Sequence, residues 1–178
     1  MFLSNLQFAI STNTNYSNIN FKPKQVECLE AIHCGRDVVA VLPTGYGKSM
    51  IFHLLPAIFQ DRDKIIGGSR SSPQVRPVVI VVSPLNALIK DQIRRISQGT
   101  LTAAALNVKR NQSNSGNLDL EVGDANFSQL QDAEYDIVFT HPGAFLSCKQ
   151  GMNLFQSSSY QRAVKAVVVD EAHCILEW

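Results

Sequence analysis

Four short runs of apolar residues constrain this chain more than anything else in it. They are Asp37-Val-Val-Ala-Val-Leu42, Pro77-Val-Val-Ile-Val-Val82, Tyr135-Asp-Ile-Val-Phe-Thr140 and Ala166-Val-Val-Val169. Each is too short for a core helix and lacks the alternation of a half-exposed strand, so each reads as a strand covered on both faces. Leu101 to Leu106 is a weaker fifth candidate. Helical segments separate the runs. Pro23 suits a first helical turn and Gly35 a helix end, with Val26, Leu29 and Ile32 on one face between them. Lys48 to Phe59 is a second helix, and Leu85 to Ile96 a third, with Leu85, Leu88, Ile89, Ile93 and Ile96 at helical spacing. Phe127 to Ala133 and Phe155 to Ala163 are the remaining helical candidates. Strands buried on both faces and alternating with helices imply parallel βαβ units, and so an α/β fold.

The chain has 178 residues, which suits one domain. An apolar content of 45% with 17% charged residues excludes a mainly disordered or fibrous chain. No apolar run reaches the ~18 residues of a membrane span, and no Lys or Arg precedes Lys22 to make the basic start of a secretory signal. Cys28, Cys34, Cys148 and Cys174 form no Cys-x-x-Cys pair and read as reduced thiols, which points to an intracellular protein. A net charge of +1 gives no broad electrostatic footprint for nucleic acid. The polar, Asn-rich residues 11–20 read as a tail or loop, so ordered structure is expected from about Phe21. The expected division is a tail over 1–20 and one domain over 21–178. Residues 67–73 and 107–123, rich in Gly, Ser and Asn, read as surface loops.

Chemistry enters after the first apolar run. Leu42-Pro-Thr-Gly-Tyr-Gly-Lys-Ser49 joins a candidate strand to a candidate helix, which is the setting of a phosphate-binding loop. In such a loop Thr44, Gly45, Tyr46 and Gly47 turn the backbone so that its N–H groups and the helix N-terminus meet phosphate oxygens. Lys48 reaches the β- and γ-phosphates and the Ser49 hydroxyl holds Mg²⁺, so ATP and Mg²⁺ are the expected ligands. The strict pattern begins with Gly where this chain has Leu42.

Such a loop needs a carboxylate partner. Val167-Val-Val-Asp-Glu-Ala-His173 delivers Asp170 and Glu171 at the end of an apolar strand, where parallel sheets place their ligands. Asp170 would hold Mg²⁺ through water and Glu171 would polarise the attacking water, with His173 beside them. His173 also reads as an ordinary helix-start residue, and Cys174 as a small packing residue.

Together these residues resemble the first RecA-like lobe of a superfamily 2 helicase, most closely the RecQ family of DNA helicases. The resemblance runs from Phe21 to Trp178 and implies a three-layer P-loop NTPase domain with a mainly parallel sheet. Phe21-Lys-Pro-Lys-Gln25 is similar to the adenine motif, in which Gln25 would read the base edge and Lys22, standing where the family has Arg, would pack on the ring. Val82-Ser-Pro-Leu-Asn-Ala-Leu-Ile-Lys-Asp-Gln92 is similar to a motif that touches single-stranded DNA, which implicates Ser83, Pro84, Leu85, Lys90 and Gln92. Thr140-His-Pro-Gly143 occupies the place of another DNA motif but has Gly143 where the family has Glu. Trp178 falls on the Trp that opens the family's aromatic loop. The resemblance implies ATP-driven 3′-to-5′ unwinding, single-stranded DNA and duplex junctions as partners, and no membrane. It implies a second RecA-like lobe, so the sequence reads as a C-terminally incomplete lobe that binds nucleotide but does not unwind alone. An RNA helicase lobe of the same superfamily and a non-catalytic ATP-binding module are the alternatives.

Overall fold

The computed structural model of the chain describes residues 1–16, 19–66, 75–110, 118–122, 127–146 and 148–177. They form two units, Met1–Gln74 and Val75–Trp178. The first unit is helical. α1 (Phe2–Thr12) packs on α3 (Lys48–Ile66), as does α2 (Pro23–His33). Pro23 opens α2 at its first turn, and the Gln25 side chain accepts the Lys22 backbone N–H at 2.8 Å, closing one half of a capping box. Gly35, at φ +76°, ends the helix by bringing the Arg36 N–H back to the Ala31 carbonyl at 3.0 Å.

The expectation that order begins near Phe21 is thus corrected. Phe2, Leu6 and Ala9 lie one turn apart, and all three are buried. A second correction concerns Asp37 to Leu42, expected as a buried strand. The segment pairs with no strand among the described residues, and Val39 and Val41 are 92% and 90% exposed. An apolar run specifies surface that gains by being covered, but it does not specify the covering partner.

The second unit is a sheet of five strands in the order β3-β2-β4-β1-β5. β2 (Ala103–Arg110), β4 (Ile137–Thr140), β1 (Val78–Val82) and β5 (Val164–Val169) run parallel, and β3 (Leu118–Val122) pairs antiparallel with β2. The α/β expectation therefore holds. β1 and β4 are buried at every residue, as continuous apolar runs require. Val78, Ile80, Val82 and Val138 join Ala104, Leu106, Leu130, Leu154 and Tyr160 in one core. Val79, Val81, Ile137 and Phe139 are buried on the opposite face. β5 differs because it lies at the sheet margin, and Val167 and Val169 are 61% and 42% exposed.

The helices are α4 (Asn86–Ile96), α5 (Phe127–Gln131), α6 (Pro142–Leu146), α7 (Lys149–Gln156) and α8 (Ser158–Ala163). The single helix expected over 155–163 is two, because Ser157 at ψ +123° leaves the helical region. Of the loop expected over 107–123, residues 107–110 instead lengthen β2 and 118–122 form β3, with Arg110 paired to Leu118, while 111–117 and 123 lie outside the described residues. The loop expected over 67–73 lies outside the described residues. No described helix is long and apolar enough to cross a membrane.

At the N-terminal ends of the strands one ion pair ties three of them together. Arg76 holds both Asp136 carboxylate oxygens, through Nε and a terminal nitrogen, each at 2.8 Å. Asp136 also accepts the Thr102 N–H at 2.8 Å and its hydroxyl at 3.0 Å. Arg76, Thr102 and Asp136 precede β1, β2 and β4, away from the strand ends that carry ligands in such sheets.

Candidate functional site

In the first unit the loop before α3 is built around two left-handed glycines, Gly45 at φ +76° and Gly47 at φ +89°. Only glycine adopts that conformation without strain. Gly47 is constrained twice, since a Cβ there would lie 2.7 Å from Gln25 Nε2 and 3.1 Å from Met50 Sδ. The loop delivers Lys48 and Ser49 to the start of α3, whose first N–H groups have no acceptor within the helix and whose dipole favours an anion there. Lys48 Nζ donates to the Leu42 carbonyl at 3.4 Å, a long bond that a phosphate can replace. Left-handed glycines, a long helix N-terminus and a weakly held lysine fit the phosphate chain of a nucleotide.

Lys22, Gln25 and Tyr46 converge on this loop. Gln25 is 2% exposed, and its Nε2 donates to the carbonyls of Tyr46 at 3.1 Å and Gly47 at 3.0 Å. Every polar atom of this carboxamide is hydrogen-bonded, to the loop or to the start of α2. The Lys22 ammonium stands 4.3 Å from the centroid of the Tyr46 ring. These ties were not legible in the sequence. Only the placement of Gln25 three residues after a helix cap, as in a capping box, hinted at any of them. Thr44 and Gly45 are exposed; Tyr46, Lys48 and Ser49 are half-buried.

In the second unit the register aligns the strand ends. Val82 pairs with Thr140 and with Val169, and Leu106 pairs with Thr140, so β1, β4 and β5 emit their following loops at one edge. The Ser83 N–H donates to the Thr140 carbonyl at 3.0 Å and the Asp170 N–H to the Val82 carbonyl at 2.9 Å. The edge thus gathers Ser83, Pro84 and Leu85, then His141 to Gly143, then Asp170 and Glu171. Glu171 is left-handed at φ +51°, an uncommon place for a side-chain-bearing residue. Three contacts hold it there. Its N–H donates to Asp170 Oδ1 at 3.1 Å, its carbonyl accepts the Cys174 N–H at 2.9 Å, and its carboxylate lies 3.3 Å from His173 Nδ1. The 3₁₀ turn Ala172–Glu177 follows.

The residues assigned to nucleic acid divide by exposure. Leu85 is 49% exposed and Lys90 is on the open face of α4, beside the Asp91–Arg95 ion pair at 2.9 Å. Pro84 and Gln92 are half-buried. Ser83 is 2% exposed, and its Oγ has no hydrogen-bond partner among the described residues. Trp178 lies outside the described residues. At the weaker motif, His141 Nδ1 accepts the Gly143 N–H at 3.2 Å, closing the turn that starts α6.

Comparison with known proteins gives a consistent result. Residues 22–178 match the family model described as DEAD/DEAH box helicase. The chain is 30% identical over 165 residues to the probable ATP-dependent DNA helicase RecS of Bacillus subtilis, covering 89% of this chain and 26% of that protein. It is 26% identical over 163 residues to ATP-dependent DNA helicase Q-like 4B of Arabidopsis thaliana, covering 92% and 12%. It is 27% identical over 158 residues to ATP-dependent helicase SGS1 of Saccharomyces cerevisiae, covering 89% and 10%. The chain therefore spans between 10% and 26% of the length of these relatives.

Proposed function

The chain belongs to the DEAD/DEAH box helicase family, and from that premise we propose that residues 21–178 are the nucleotide-gripping lobe of a RecQ-like, ATP-dependent DNA helicase moving 3′ to 5′. The observation that carries this reading is the loop before α3, with Gly45 and Gly47 left-handed and the buried Gln25 bonded to its carbonyls. In this reading Thr44, Gly45, Tyr46 and Gly47 wrap the phosphates and Lys48 neutralises the β- and γ-oxygens. Ser49 and Asp170 hold Mg²⁺, and Glu171 orients the attacking water. Bound Mg-ATP supplies the phosphoanhydride whose hydrolysis drives movement. His173 holds the Glu171 carboxylate in place from 3.3 Å. Gln25 reads the adenine edge once at least one of its loop bonds is exchanged for the base, and Lys22 leaves the Tyr46 ring to cover it.

Leu85 and Lys90 offer the exposed part of a track for single-stranded DNA, with Ser83, Pro84, Gln92 and Trp178 shaping it. A second RecA-like lobe completes both the ATP site and the DNA track. A duplex junction is the substrate in this reading, and the work is intracellular, in the nucleus of a eukaryote and in the cytoplasm otherwise. The names of relatives, such as ATP-dependent DNA helicase Q-like 4B and probable ATP-dependent DNA helicase RecS, favour DNA over RNA.

The test is ATP hydrolysis by a protein bearing this lobe together with a second one. Single-stranded DNA should accelerate hydrolysis more than RNA of equal length. Equal or greater acceleration by RNA would favour the RNA-dependent ATPase, and nucleotide binding without hydrolysis under any condition would favour a non-catalytic module.

A further inference from the structure

The nucleotide reading gives no role to α1 or to the turn that follows it, yet this segment is tied to α3 at three places. The Tyr16 hydroxyl hydrogen-bonds with His53 Nδ1, with the two rings 5.9 Å apart. Asn5 Nδ2 donates to Asp61 Oδ2 at 3.2 Å. The Lys64 ammonium lies 5.5 Å from the centroid of the Phe8 ring. His53 is 2% exposed and is also held edge-on by Phe52 at 4.8 Å.

These ties matter because α3 carries Pro56 in its interior. A proline lacks the N–H that closes the ladder, and its ring crowds the carbonyl one turn back, so a helix bends there. Pro56 separates the turns that begin with Lys48 and Ser49 from residues 57–66. The ties fall on both sides of it, with His53 before and Asp61 and Lys64 after. A segment of eight residues is ~12 Å long, so a swing of ~20° at the proline would carry the Lys48 end ~4 Å. A binding constellation tolerates only ~0.5 Å.

We infer that α1 and Tyr16 splint α3 across Pro56, and that Tyr16 is a positioning residue for the nucleotide site, acting through His53. The splint is a property of the nucleotide-free chain; its consequence for binding rests on the nucleotide reading above.

The test combines Tyr16→Phe, which keeps the ring and removes the hydroxyl, with Pro56→Ala, which restores the ladder. Two quantities are read: amide hydrogen exchange along α3 without nucleotide, and Mg-ATP affinity by calorimetry. Tyr16→Phe should speed exchange over residues 50–55, leave 57–64 unchanged, and weaken Mg-ATP roughly fivefold, the loss of one hydrogen bond's worth of positioning. Both effects should disappear in the Pro56→Ala background. His53→Phe should reproduce Tyr16→Phe, and the double variant should add nothing, which keeps the inference testable if Pro56→Ala does not fold. Unaltered exchange over 50–55 in Tyr16→Phe would overturn the inference. So would an equal loss in the Pro56→Ala background, or additive losses from Tyr16 and His53. Lys48→Ala separates the two readings, because full Mg-ATP affinity in that variant would sink the nucleotide reading while leaving the exchange result standing.

Discussion

Gln25→Leu is the perturbation that the geometry defines most sharply. The side chain is 2% exposed and makes three hydrogen bonds, to the Lys22 N–H at 2.8 Å and the Tyr46 and Gly47 carbonyls at 3.1 and 3.0 Å. A neutral hydrogen bond contributes a net ~0.5–1.5 kcal/mol. Water can reach Lys22, which is exposed, and in part the loop, so the released groups do not carry a full burial penalty. Leucine has similar volume and leaves little cavity. The expected loss is therefore about 2–3 kcal/mol, measured by urea denaturation with the slope unchanged. Gln25→Glu sharpens the test. A carboxylate keeps the bond from Lys22 but turns an oxygen toward two carbonyl oxygens, which disfavours the charged form and raises the folded-state pKa above the unfolded one. Its penalty against wild type at the same pH should therefore be largest at neutral pH and shrink as pH falls through the carboxylate range. A Gln25→Leu loss below about 0.5 kcal/mol would show that the carboxamide does not hold the loop.

Three further outcomes follow from single features. Burial holds the His33 imidazole below its ordinary pKa, with Arg62 and the chain N-terminus adding to the effect and Glu30 opposing it. Stability should be full above pH 6.5 and fall as pH drops below it, and His33→Gln should lose that part of the slope in urea midpoints. Asp136→Asn removes the charge that Arg76 grips with two bonds and should cost about 2–3 kcal/mol by urea denaturation; a change within about 0.5 kcal/mol would contradict the tie. Gly47→Ala must place a Cβ 2.7 Å from Gln25 Nε2 at φ +89°, so it should weaken Mg-ATP at least tenfold by fluorescence titration, and unaltered binding would refute the geometry.

The sequence carried the parts that local chemistry dictates. β1 and β4 were legible because a strand covered on both faces has no polar alternation to disguise it, and α4 because Ile89, Ile93 and Ile96 keep helical spacing. The turn into α3 was legible because the glycines that shape it, Gly45 and Gly47, stand directly before the helix start. What escaped depends on partners distant in the chain. α1 has an apolar face in Phe2, Leu6 and Ala9, but the Asn-rich stretch that runs on from it hid the packing, in which Asn5 at 0% and Asn13 at 1% exposure are buried as well. Asp37 to Leu42 has the composition of a core strand but pairs with no strand among the described residues. The bonds from Gln25 to the loop cross twenty-one and twenty-two positions, and no spacing rule reaches that far. The left-handed Glu171 has no sequence signature either, since the residue is not Gly, Asn or Asp.

Calorimetric titration of Mg-ATP into the chain and into its Lys48→Ala variant tests the central claim most directly. If the loop before α3 is a nucleotide site, the wild-type chain gives a single-site isotherm. Lys48→Ala, which removes the only full positive charge the loop offers the β- and γ-phosphates, gives none at the same concentrations. Equal affinity in the two proteins would contradict the account.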